Sequence, residues 1–202
     1  MKNFRRISVT SAFFFVLIFV LSAFIKTANA QVKYHTDDLN VSIKGTTSVQ
    51  PWELKSDKGQ FEAVFGLGKN DKITDIYTLW FTIETELLKS GHAAMENSAY
   101  KALKTKSYDN ISFIHKSSII NQVDSKHFEI KCNGYLTVAG TEQETNLVVS
   151  CKLNDDKTFT CTGSKKLKMT DFNIKPPSVG LGTVKASDEI SIAYDLIIGK
   201  KS

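Results

Sequence analysis

The four histidines, His35, His92, His115 and His127, are the side chains of this chain best suited to metal binding or acid–base chemistry. Their positions give neither the His-x-x-x-His nor the His-Glu-x-x-His spacing of a helical zinc site. The sequence also lacks a Gly-x-Ser-x-Gly motif, which would expose a serine nucleophile on a strand-to-helix turn. We therefore predict no catalytic residue, no bound metal and no cofactor, and we interpret the protein as a non-enzyme.

Three cysteines, Cys132, Cys151 and Cys161, are the other candidates for chemistry. They fall on the inward-facing side of three consecutive predicted strands. Two hairpins join these strands and bring Cys151 near both of the other cysteines. Three interpretations stay open: a Cys132–Cys151 disulfide, a Cys151–Cys161 disulfide, or three buried thiols that pack as small apolar groups. The absence of a Cys-x-x-Cys motif gives no support to a zinc or thioredoxin-like site.

The start of the chain predicts an export signal. Basic residues precede an uncharged run over residues 11–25, and Ala28 and Ala30 give a small-x-small ending. A membrane span needs about 20 apolar residues, whereas this run has 15. We predict a signal peptide over residues 1–30 that is cleaved after Ala30, no integral membrane span afterwards, and an exported protein that is periplasmic or secreted.

The charge of the remaining domain, residues 31–202, argues against nucleic-acid binding. The chain has 26 basic and 21 acidic residues, and four of the basic ones (Lys2, Arg5, Arg6 and Lys26) lie in the leader, which leaves a net charge of +1. Nucleic-acid binding depends on neutralising phosphates with a basic surface, so it has no electrostatic support here. The length suits one domain with its own core.

Alternation of apolar and polar residues predicts strands along most of this domain. The clearest region is 127–163, where three consecutive segments each keep one apolar face. Similar segments elsewhere raise the count to about eight, and one stretch with helical spacing, capped by Ser90 and ending at Leu103, lies between two of them. Such a sheet removes its edges by closing on itself. The predicted fold class is all-β, an antiparallel barrel of about eight strands with one short helix between strands.

The content of the barrel interior stays open. Eight strands give a barrel that is either filled by its own side chains or holds one small ligand. A small outer-membrane barrel would show apolar residues to lipid, whereas Lys, Glu, Thr and Ser face outward here. The alternative to a binding protein is a structural or protein-interaction barrel with a filled core and no ligand.

Four segments of the chain resemble one protein family. They are SGHAAMENSAYKALKTKSYDNISF at 90–113, GYLTVAG at 134–140, GSKKLKMTDFNIKPPS at 163–178 and ASDEISIAYDL at 186–196. Together they resemble the YceI-like family of exported, lipid- or polyisoprenoid-binding proteins over essentially all of residues 31–202. The resemblance implies an extended, lipocalin-like barrel whose apolar interior holds a polyisoprenoid, an isoprenoid quinone or a fatty-acyl chain. Members with Asn-Arg-x-Asp-Phe-Gly carry an arginine that is absent here, and Lys165, Lys166 and Lys168 are the candidates to replace it.

Residue parity and the resemblance together predict a tunnel for one apolar chain. Burial of a methylene gains about 0.8 kcal/mol, so roughly ten buried carbons supply about 8 kcal/mol, near a micromolar dissociation constant. We therefore expect a non-catalytic carrier whose partner is a long-chain isoprenoid or another lipid. The predicted lining residues are Phe81, Ile83, Phe113, Phe128, Ile130, Leu136, Val149, Phe159 and Met169.

Overall fold

The computed structural model describes residues 30–179 and 182–201, so the predicted signal peptide, apart from Ala30, lies outside the described residues. The strands are β1 (Ala30–Thr36), β2 (Leu39–Thr46), β3 (Pro51–Ser56), β4 (Gln60–Leu67), β5 (Ile73–Glu84), β6 (Asn110–Gln122), β7 (His127–Val138), β8 (Thr141–Leu153), β9 (Phe159–Lys168), β10 (Ser178–Val179), β11 (Val184–Lys185) and β12 (Glu189–Lys200). Within the described residues there is one α-helix, α1 (Ala93–Leu103), which lies between β5 and β6.

The first four strands form one long hairpin. β1 pairs with β4 and β2 pairs with β3 in one continuous register, from Ala30 opposite Leu67 to Thr46 opposite Pro51. Each arm is interrupted near its middle, where β1 gives way to β2 and β3 gives way to β4. The two arms therefore serve as two barrel strands rather than four.

The sheet closes on itself. Antiparallel pairing runs from the second hairpin arm through β5, β6, β7, β8, β9 and β12, and β12 then pairs with the first arm, through β2 at Ser191–Leu196 and through β1 at Gly199 and Lys200. With each hairpin arm counted once, the barrel has eight strands. This confirms the predicted all-β antiparallel barrel with one short helix between strands.

Helix α1 begins later than predicted. His92, not Ser90, occupies the N-cap position. Gly91 adopts a left-handed conformation with φ of 77°, which turns the chain between Ser90 and the helix. The Glu96 carboxylate instead accepts hydrogen bonds from the backbone N–H groups of Ser90 and Gly91, at 2.8 and 3.0 Å. Ser90 therefore belongs to the loop that leads into the helix.

The two ends of the barrel differ. Helix α1, the β2–β3 turn and the segment that carries β10 and β11 surround one end, which we call the mouth. At the opposite end the rings of Tyr34, Phe65, Phe128 and Phe159 pack together, with centroid separations from 5.1 to 6.2 Å. All four are at most 2% exposed. This aromatic plug closes the end of the barrel opposite the mouth.

Candidate ligand-binding cavity

A cavity of about 400 Å³ lies inside the barrel, between the aromatic plug and the mouth. Inward-facing side chains of the barrel strands form its wall, and Phe65 of the plug is part of its lining. None of the described residues in the lining is charged. The volume lies in the range of about 300 to 1,000 Å³ that is typical of small-molecule sites. The barrel interior is therefore not completely filled by its own side chains.

Seven of the nine predicted lining residues surround this cavity: Phe81, Ile83, Phe113, Ile130, Leu136, Val149 and Met169. Strand alternation directs six of them inward, and Met169 begins the short 3-10 helix that follows β9. Ile130 lies opposite Val149 in the β7–β8 ladder, and Phe81 lies opposite Phe113 in the β5–β6 ladder with their rings stacked at 5.5 Å. The role of these residues in binding stays a prediction, but their position on one apolar surface is a property of the fold.

Phe128 and Phe159, the other two residues of the predicted lining, do not border this cavity. Both face inward, as their parity requires, but they lie at the level of the aromatic plug. The centroid of the Phe159 ring lies 5.4 Å from that of Tyr34 and 6.2 Å from that of Phe128. Neighbouring rings therefore fill the space around Phe159. Parity gives the direction of a side chain but not its height along the barrel, which is set by strand register.

Helix α1 forms part of the cavity wall and was missing from the predicted site. Six of its residues contribute to the lining: Ala94, Met95, Ser98, Ala99, Ala102 and Leu103. No residue of the helix is fully buried. Its apolar face therefore covers the cavity instead of packing tightly on a filled core. The sequence held a signal for this, because Met95, Ala99, Ala102 and Leu103 share a face at helical spacing.

Polar groups in the lining are few and mostly engaged. The Tyr194 hydroxyl donates to the Val148 carbonyl at 3.0 Å, and burial raises the pKa of Tyr194 to about 12. The Trp52 indole N–H donates to the Thr46 carbonyl at 3.3 Å. Thr47, Gln50 and Ser98 supply the remaining polar side chains in the lining, from the β2–β3 turn and from helix α1 at the mouth. A ligand therefore meets hydrogen-bonding groups mainly where it would enter.

All three cysteines also line the cavity. Cys151 and Cys161 lie directly opposite each other in the β8–β9 ladder and form a disulfide, which selects one of the three interpretations that the sequence left open. Cys132 is a free, buried thiol whose pKa burial raises to about 11. A thiol held in its neutral form behaves as a small apolar group, so the cysteines contribute to the apolar wall.

The three lysines proposed from the family resemblance lie outside the cavity lining. The Lys165 ammonium donates to Asn146 Oδ1 at 2.7 Å, and Lys166 forms an ion pair with Glu189 at 3.1 Å. Lys168 is exposed. A contact between these ammonium groups and an enclosed ligand has no support from their positions.

Within residues 30–179 and 182–201, no three His, Cys, Asp or Glu side chains come together as a potential metal site. In the same ranges, no helix has the length and hydropathy needed to cross a membrane.

The fold of the chain is similar to the folds of several solved structures. The chain is similar to BcnA from Burkholderia cenocepacia (TM-score 0.60, 19% identity, 80% of this chain and 96% of that one). It is also similar to a polyisoprenoid-binding domain from Saccharophagus degradans implicated in plant cell wall breakdown. That match has a TM-score of 0.63 and 8% identity, and it covers 84% of this chain and 99% of that one. A third similar structure is the YceI protein of Campylobacter jejuni. That match has a TM-score of 0.50 and 18% identity, and it covers 70% of this chain and 81% of that one. No protein-family model and no curated protein sequence matches the chain. The barrel geometry and these structural matches together show that the chain has a YceI-like fold.

Proposed function

We propose that this protein binds one long apolar chain inside its barrel and carries it without chemical change. The observation that supports this most directly is the uncharged lining of the 400 Å³ cavity. Burying a charged group there without a partner would cost several kcal/mol, whereas each methylene buried gains about 0.8 kcal/mol. The name of the Saccharophagus degradans domain, a polyisoprenoid-binding domain, supports the same class of ligand.

The cavity volume limits how much of a ligand the barrel encloses. An apolar cavity of about 150 Å³ accommodates the six carbons of benzene, so a volume of 400 Å³ corresponds to roughly fifteen carbons. A chain of that length gains several kcal/mol more than a micromolar affinity needs, which leaves a margin for the cost of ordering it. Longer isoprenoids would extend through the mouth.

The lining also predicts the chemistry of the ligand's polar end. The polar side chains that line the mouth, Thr47, Gln50 and Ser98, are neutral. We expect alcohols, quinones or amides to bind with this end near these groups, and we expect a free carboxylate to bind only if it remains outside in water. Among chains of equal length, a neutral head group should therefore bind more tightly than an ionised one.

Export belongs to the same proposal. The basic start, the short uncharged run and the Ala28-Asn29-Ala30 ending support cleavage after Ala30 and a periplasmic or secreted carrier. The intact mass of the exported protein tests this, because cleavage predicts a chain that begins at Gln31. A protein that retains residues 1–30 would contradict it.

The binding function is tested by mass spectrometry of the lipids extracted from protein purified without detergent. We expect an apolar-chain lipid in amounts comparable to the protein, and we expect stripped protein to take up an isoprenoid quinone. A clean extract together with no uptake would favour the alternative, a structural or protein-interaction barrel.

A further inference from the structure

The β2–β3 turn at the mouth presents an apolar side chain to solvent. Val49 lies in this turn and is 69% exposed, yet it also belongs to the cavity lining. The Thr47 hydroxyl accepts hydrogen bonds from the N–H groups of Val49 and Gln50, at 3.3 and 3.0 Å. The turn is also joined to β11, because the Ser48 N–H donates to the Lys185 carbonyl at 3.0 Å. Polar bonds therefore hold Val49 in an exposed position on the rim of the cavity.

Exposed lysines without partners surround the same opening. Lys101 lies on α1 and Lys104 is at its C-cap, and neither belongs to the cavity lining, so both ammonium groups face water. Lys106 follows in the next loop, and Lys175 and Lys185 lie on the segment that carries β10 and β11. Within the described residues, none of these five lysines forms an ion pair or a side-chain hydrogen bond. We call them the rim lysines.

Three carboxylates of the mouth region are bonded to neighbouring groups instead. Glu86 accepts a hydrogen bond from the Thr105 hydroxyl at 3.1 Å, and Asp188 accepts one from the Thr170 hydroxyl at 2.7 Å. Glu96 accepts hydrogen bonds from backbone N–H groups of the loop before α1. These carboxylates hold the mouth segments in place and do not pair with the rim lysines, so the lysine charges stay available to a partner of complementary charge.

The plug end of the barrel differs in two ways. Several of its lysines are paired, because Lys157 and Lys200 contact Asp71 at 3.0 and 3.4 Å, and Lys126 contacts Asp155 at 2.6 Å. The aromatic plug also closes that end, whereas the apolar cavity extends to the mouth. Unpaired positive charge, an exposed apolar side chain and access to the cavity therefore occur together at the mouth.

We propose that the mouth docks on the surface of an anionic phospholipid bilayer, with Val49 inserted among the head groups and the rim lysines beside the lipid phosphates. Each lysine held close to an anionic membrane surface strengthens binding about fivefold. An apolar side chain inserted at the head-group boundary adds to this attraction. Five ammonium groups around one apolar side chain give no extended apolar patch of the size that a protein interface buries, whereas lipids rearrange around such a rim.

Docking at the mouth rests on the proposed carrier function. An apolar chain that leaves the cavity through water loses the free energy gained by its burial, whereas a chain that passes from the cavity into a bilayer stays in apolar surroundings. The bilayer is thus the source or the destination of the ligand. Contact with the membrane is a property of the rim alone, however, so it can be measured with no ligand in the cavity.

Sedimentation with lipid vesicles tests docking directly. The probe is a vesicle of phosphatidylcholine with about 30% phosphatidylglycerol, and vesicles of phosphatidylcholine alone give the neutral reference. We expect the exported protein to bind the anionic vesicles, and to be released as the salt concentration is raised from about 50 to about 500 mM. The combined variant Lys101→Gln, Lys104→Gln and Lys106→Gln should bind them about tenfold or more weakly than the parent.

Control variants at the plug end locate the contact. Glutamine at Lys69, Lys72 and Lys152 removes the same charge from exposed positions at that end, and should leave vesicle binding within about twofold of the parent. Val49→Ser should weaken binding about threefold or more, because it removes the inserted methyl groups. Val123→Ser is its control, since Val123 is 70% exposed in the turn between β6 and β7. No binding to anionic vesicles, or an equal loss in the control variants, would overturn docking at the mouth.

Uptake of a fluorescent fatty-acyl probe from solution separates docking from ligand binding. The variant with three glutamines on and beside α1 should take up the probe as the parent does, because its substituted residues lie outside the cavity lining. Normal uptake without vesicle binding overturns docking and leaves the carrier function. Vesicle binding without uptake supports docking and removes the carrier function.

Discussion

Replacing Ile130 with tryptophan separates a ligand cavity from a filled core. Ile130 is 2% exposed and lies on the cavity wall, opposite Val149. A close-packed core loses about 1 to 3 kcal/mol when extra atoms are forced into it. A barrel with open interior space accepts the larger ring instead, at the expense of the space available to the ligand.

The expected loss of affinity follows from the volumes. Tryptophan has about six more side-chain heavy atoms than isoleucine, so on the benzene scale it occupies roughly a third of the 400 Å³ cavity. A ligand would then bury about five fewer carbons. At about 0.8 kcal/mol for each, binding weakens by about 4 kcal/mol, or roughly a thousandfold. The free energy of unfolding should change by less than about 1 kcal/mol.

Two measurements on the same samples decide the outcome: chemical unfolding followed by circular dichroism, and titration with a fluorescent fatty-acyl probe. Ile73→Trp is the matched control, because Ile73 is 1% exposed and lies outside the cavity lining. It should be destabilised by more than about 1 kcal/mol while any folded fraction still binds the probe. If Ile130→Trp is destabilised as strongly as the control and binds the probe as the parent does, the reasoning is refuted.

Three further outcomes are expected. Replacing both Cys151 and Cys161 with serine should lower the free energy of unfolding by about 3 kcal/mol, the chain-entropy value for a loop of this size; denaturant curves of parent and variant measure it, and an unchanged midpoint would contradict it. The Ser42 hydroxyl and the Lys55 ammonium lower the pKa of Glu53 from 4.5 to about 2. The resulting stabilisation is present above pH 4.5 and is lost as the pH falls toward 2, so Glu53→Gln should flatten the loss of stability with acid, and identical pH profiles would exclude this role. Phe159→Leu should destabilise the aromatic plug by about 1 to 2 kcal/mol yet change probe affinity by less than threefold, whereas a large affinity loss would return Phe159 to the ligand site.

The barrel and most of its wall could be predicted because strand alternation is a local property. Ile130, Leu136 and Val149 face inward wherever the strands end up, since a period of two fixes the side of the sheet. The strand count and the need to remove exposed edges then led to closure. The fold class needed no long-range information.

The aromatic plug, the disulfide and the position of helix α1 depend on strand register and side-chain packing. A single sequence does not specify either of these directly. Phe128 and Phe159 have the parity of lining residues, but the register of their strands places them beside Tyr34 in the plug. The disulfide could not be chosen because Cys151 has a cysteine on each neighbouring strand, and only the direct pairing with Cys161 decides between them. The covering role of α1 also required its position over the mouth.

Methyl NMR of labelled protein during titration with farnesol, an isoprenoid alcohol, shows directly whether an apolar chain enters the barrel. We expect saturable shifts of the Ile83 and Ile130 methyl groups, which line the cavity. We expect little change at Ile73, which lies outside the lining, or at Ile114 on the outer surface. If Ile83 and Ile130 do not respond, or if the shifts are confined to Ile114 and its exposed neighbours, the chain does not enter the barrel and the proposed carrier function is wrong.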